Sequence, residues 1–164
     1  MKVLPELYRF HFKSERRERL FLASVGFLLT FGIVRVITHL IRAGVGPFHN
    51  VSSGGLHIHH LVWGIVILLA VSYVWLVEVG VGSSWVASLT AIAFGVGAAL
   101  TLDEFALWLN LQDVYWLAQG RESIDAVVLF AALLSIGIWG GPFLKGVGRR
   151  LLRLHPPGRA SPPS

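Results

Sequence analysis

The sequence predicts an all-α membrane protein, a bundle of four transmembrane helices with both termini in the cytoplasm. Three observations lead there. Hydrophobic residues make up 54% of the 164 positions and charged residues only 14%, against about 25% charged in a soluble globular domain. The mean hydropathy is +0.67, and the apolar residues fall in runs near the roughly 20 that cross a hydrocarbon core about 30 Å thick. The lysines and arginines gather at the two ends of the chain.

The spans are expected at about 20–42, 57–78, 84–110 and 122–144, making a transmembrane domain over 20–144. The stretches "AGVGPFHNVSSGG", "EVGVGSS" and "NLQDVYWLAQGR" separate them, rich in the Gly, Ser, Asn and Pro that interrupt helices. The segment 1–19 carries Lys2, Arg9, Lys13, Arg16, Arg17 and Arg19 and reads as a basic cytoplasmic or interfacial stretch. The segment 145–164 carries Lys145, Arg149, Arg150, Arg153 and Arg159 and ends as a Pro-rich tail. The loop between the second and third spans has no basic residue. Positive charge stays on the cytoplasmic side, so the chain reads as a multi-pass protein of the cell inner membrane, N-in and C-in. Its net charge of +5 is thereby explained by orientation, and nucleic acid is not an expected partner. Membrane lipids are. Arg35 and His39 within the first run, and the lack of a small-residue cleavage site after it, argue against a signal peptide.

Cysteine is absent and Met1 is the only methionine, which excludes disulfides, thiolate metal sites, cysteine nucleophiles and Met-rich copper sites. The remaining ionisable residues converge. With alternating spans, His39 and Arg42, the stretch "GLHIHHLVWG" with His57, His59 and His60, and the pair Asp103 and Glu104 all fall at the extracytoplasmic end. Glu122, Asp125, His49 and Asp113 lie there too; Glu78 is the exception. Arg35, His39 and Arg42 recur at i, i+4, i+7 and share a helix face, as do His57, His60 and Gly64 at i, i+3, i+7. Ala87, Ala91, Gly95, Ala99 and Asp103 recur every four residues, a small-residue face on which helices approach closely and which directs Asp103 into the bundle. Such faces, with Gly137 and Gly141, also suit a homo-oligomer.

Imidazole and carboxylate together suit a divalent metal, zinc first, iron or manganese next. The expected ligands are His57, His59, His60, Asp103 and His39. Metal-bound water would serve as nucleophile, with Glu104 or Glu122 as base, and Arg35 or Arg42 would hold an anionic group such as a lipid phosphate. A catalytic set of Glu104, Asp103 and Arg35 follows, and with it a metal-dependent hydrolase of lipid or lipid-linked substrates. Buried membrane charges also pair with one another, so Arg35 with Asp103 or Glu104 is equally an ion pair. Two further functions use the same residues: a proton or ion relay, and a non-catalytic subunit whose polar cluster joins helices. H-E-x-x-H, G-x-S-x-G and P-loop patterns are absent.

The segments "GLHIHHLVWGI" and "LTLDEFALWLNLQDVYW", within residues 38–126, resemble small bacterial polytopic membrane proteins to which no activity is assigned. The resemblance implies a multi-pass fold and brings no activity. A looser similarity, in histidines and an aspartate near one membrane face, is to hydrolases of the ceramidase and progestin-receptor type. The H-x-x-x-H pair of those proteins is missing here.

Overall fold

A computed structural model describes residues 12–49, 52, 53 and 56–139, excluding the side chains of 52, 53, 56 and 57. Most of the basic N-terminal segment, the tail 145–164, the end of the fourth span with Gly141, and the His57 side chain lie outside this description. The architecture is helical: α1 Glu15–Ala43, α2 His60–Leu76, α3 Ser84–Asp103, α4 Phe105–Asn110 and α5 Arg121–Trp139. A short antiparallel pairing, Ser52–Ser53 (β1) with Leu56–His57 (β2), precedes α2, and a 3₁₀ turn, Ala118–Gly120, leads into α5. Three helical stretches, Glu15–Ala43, Ser84–Asp103 and Ala118–Trp139, are long and apolar enough to cross a membrane. The apolar helix α2 has 17 residues and spans about 25 Å at 1.5 Å per residue.

Helix α1 begins five residues before the apolar run. Ser14 precedes it, Glu15 and Glu18 lie in its first turn, where acids favour the helix dipole, and Glu15 pairs with Arg19 at 3.6 Å. It ends at Gly44, whose φ of +67° accommodates the left-handed cap that returns N–H groups to Ile41 and Leu40. The third span is not one helix. It breaks at Glu104 (φ −109°, ψ 23°) and restarts as α4. The Ser123 hydroxyl, buried on α5, accepts the Ala106 N–H at 2.9 Å and caps the restarted segment.

The helices are arranged about α3 rather than in a closed ring, with α1 and α2 packed on different sides of it and α5 against α1 and α3. The small residues make this possible. A side chain at Gly95 would collide with the Ala23 carbonyl, and one at Gly26 would meet the Ile92 carbonyl at 2.8 Å. On the other side, Gly64 faces the Gly97 carbonyl and Thr101. These small residues let α1, α2 and α3 approach closely, while Gly32 borders open space. Phe27, Ala98, Ala99, Val127 and Leu134 form the apolar core. Large apolar side chains elsewhere, such as Leu69, Leu129 and Leu133, point outward, as hydrocarbon-facing residues do.

Candidate polar site at one end of the helices

Two neighbouring carboxylates organise the site. Asp103 ends α3 and is 0% exposed. Its Oδ1 lies 2.6 Å from Arg35 Nε on α1. Its Oδ2 accepts the Tyr115 hydroxyl at 2.9 Å and His60 Nε2–H at 3.1 Å. Glu104, at the break, reaches α2. Its Oε2 accepts the Leu61 N–H at 2.9 Å and its Oε1 accepts His59 Nδ1–H at 2.8 Å, with His60 Nδ1 3.5 Å away. His59, the N-cap residue of α2, makes no side-chain cap of its own. The cap comes instead from Glu104, a carboxylate of another span at the positive end of the α2 dipole. At this break the two adjacent carboxylates serve different partners, Asp103 reaching Arg35 on α1 and His60 on α2, and Glu104 reaching His59 and the Leu61 N–H at the start of α2.

Arg35 is enclosed by aromatic faces, its guanidinium carbon 5.3 Å from the Phe31 ring centroid and 4.8 Å from that of Tyr115. Its Nε–H does not point along the contact with Asp103, and its Nη2, also buried, has no hydrogen-bond acceptor among the described residues. The two rings add cation–π contacts to the charge contact with Asp103. Tyr115 comes from the loop after α4. Its hydroxyl also lies 3.2 Å from Thr38 Oγ1. Burial raises the Tyr115 hydroxyl well above its ordinary value near 10, so it stays protonated and donates to Asp103.

The residues expected to converge do so selectively. Arg35, Asp103, Glu104, His59 and His60 form one hydrogen-bonded and ionic cluster. His39 stands apart: its Nδ1–H donates to the Arg35 carbonyl at 2.7 Å and its ring meets Trp116 edge-on. Glu122 accepts from Asn110 Nδ2 at 2.7 Å, away from the histidines. Among the described residues, no three His, Asp or Glu side chains are arranged to hold a metal ion. Sequence reasoning assigned no site role to Tyr115, Thr38 or Ser123. Nothing in the spacing signals Tyr115, Thr38 or Ser123.

A cavity of about 510 Å³ opens beside the cluster, within the range of roughly 300–1,000 Å³ typical of ligand sites. His59, His60, Glu104 and Tyr115 form its polar wall, Val34, Ile37, Ile41 and Trp63 its apolar one, and Arg42 and Trp116 also line it. Ser24, Thr90, Thr101 and Ser135 donate to carbonyls of their own helices, so these hydroxyls do not link the cluster to the opposite end. No protein-family model matches this chain, and no curated protein or solved structure is significantly similar to it.

Proposed function

We propose that this multi-pass membrane protein holds a membrane amphiphile in the cavity at its polar end. The head group rests against His59, His60 and Tyr115, and the apolar chain runs along Ile37, Ile41 and Trp63. The observation that carries the reading is the cavity's composition: one wall carries His59, His60, Glu104 and Tyr115, and the other the apolar side chains Val34, Ile37, Ile41 and Trp63 of α1 and α2. Ionisable groups are costly within a membrane and mark functional sites. The distribution of lysine and arginine puts this end on the extracytoplasmic side in this reading, and a ligand enters sideways from the lipid. The relay reading is less well supported, because the hydroxyls farther along the spans bond their own helices.

Photo-crosslinking tests the proposal. A benzophenone side chain at Ile37 is expected to capture one chemically defined amphiphile from membranes. The same group at Leu129, 72% exposed on α5, should capture the bulk lipid mixture. Bulk lipid at both positions would remove the proposal.

A second reading, metal-assisted hydrolysis of a lipid or lipid-linked substrate, is favoured by one contact. Glu104 holds the His59 ring through Nδ1, as carboxylates hold metal-binding imidazoles. In this reading zinc, iron or manganese is bound by His59 and His60 together with His57. Elemental mass spectrometry of the wild type beside His57→Ala/His60→Ala and Asp103→Asn decides it. Near-stoichiometric metal that is lost in the variants supports it; metal-free wild type after gentle purification and attempted reconstitution excludes it.

A further inference from the structure

We infer that the amphiphile carries a phosphate and that Arg42, lying on Trp116, binds it. The inference rests on the amphiphile-binding reading above and assigns the head-group charge, which that reading leaves open. Two arginines stand at this end of α1, and the structure separates their roles. Arg35 is committed to Asp103 and sandwiched by Phe31 and Tyr115. Arg42 lines the cavity, is exposed, and pairs with no carboxylate among the described residues.

The cavity's two carboxylates already accept donors. Glu104 takes His59 Nδ1–H and the Leu61 N–H, and Asp113 takes the Tyr115 N–H at 3.3 Å. Arg42 is the full positive charge left for a ligand. Its guanidinium carbon lies 4.2 Å from the Trp116 ring centroid. Stacking on an aromatic ring uses a guanidinium's flat face and leaves its N–H fork at the edge, the geometry that receives a phosphate through two hydrogen bonds. Ile37, Ile41 and Trp63 line the same cavity as Arg42, so the phosphate is that of a lipid rather than a free ion.

Native mass spectrometry of the full chain in neutral detergent tests this with three probes: phosphatidylglycerol, diacylglycerol with the same acyl chains, and soluble glycerol phosphate. Wild type should retain one phosphatidylglycerol with an affinity about tenfold above diacylglycerol, the scale of one charge-assisted bidentate contact. Arg42→Gln should bring the two lipids within about twofold, and Arg42→Lys should fall between, since it keeps charge but loses the fork. Glycerol phosphate at matched concentration should not displace the lipid. If Arg42→Gln fails to fold, the wild-type preference must still shrink as salt rises from low to high. Equal retention of both lipids by wild type, or an unchanged preference in Arg42→Gln, overturns the role of Arg42 while leaving amphiphile binding intact. Displacement by glycerol phosphate overturns the lipid assignment. Retention of neither lipid removes both this inference and the reading beneath it.

Discussion

Asp103→Asn changes little in volume and removes one charge, so its cost isolates the ion pair. The two carboxylate oxygens have separate duties: Oδ1 faces Arg35, and Oδ2 takes both His60 and Tyr115. An amide has one acceptor oxygen and cannot serve both sides. With the oxygen kept toward His60 and Tyr115, the amide nitrogen faces a guanidinium whose side chain is only 22% exposed. Stripping one partner from a buried pair costs about 3–5 kcal/mol; the residual exposure of Arg35 and its aromatic neighbours place the expectation at the lower end, about 3 kcal/mol. In an Arg35→Met background the stranded cation is gone, and the same Asp103→Asn change should cost no more than about 1 kcal/mol. The assay is equilibrium unfolding in mixed detergent micelles, followed by tryptophan fluorescence, for the wild type, both single variants and the double variant. An equal cost of Asp103→Asn in both backgrounds would refute the argument, because it would show that the cluster is held by packing and neutral hydrogen bonds rather than by the Arg35–Asp103 charge contact.

The remaining predictions concern packing and the tyrosine. Gly95→Ala places a methyl group against the Ala23 carbonyl and should destabilise by about 1–3 kcal/mol, as overpacking does. Gly32→Ala, with nothing within 4 Å, should be neutral or stabilise by up to about 1 kcal/mol through helix propensity; the same micelle unfolding assay ranks the two, and the reverse order contradicts the packing described. Tyr115 should remain protonated at alkaline pH, so a spectrophotometric titration of wild type minus Tyr115→Phe should show no phenolate signal as pH rises through the ordinary value near 10. Because the folded value is raised, its contribution to stability is complete below that ordinary value. It then declines as pH climbs from there toward the folded value, since the unfolded chain loses a proton that the folded chain keeps. In Tyr115→Phe that part of the alkaline decline should vanish.

Much of the fold was legible in the chain because a bilayer imposes simple demands. Apolar runs near 20 residues mark helices that satisfy their own backbone. The four-residue recurrence from Ala87 to Asp103 foretold which face of α3 would pack: Ala91, Gly95, Ala99 and Asp103 are buried and Ala87 is partly so. Helix phase likewise put Arg35 on a face that meets Asp103, and reversal of the chain between successive helices brought His59 and His60 to the carboxylates. What the sequence did not reveal depends on contacts between distant segments. The break at Glu104 lies inside an apolar run and has no proline or glycine to announce it. There one carboxylate caps α2 while its neighbour holds Arg35, and Ser123, on another helix, caps the restart. Tyr115 joins Asp103 only when the loop after α4 folds back over α1. The division between Arg35 and Arg42 was likewise invisible: both share a helix face by spacing, yet burial beside Asp103 commits one of them, and the cavity and Trp116 leave the other open to a ligand.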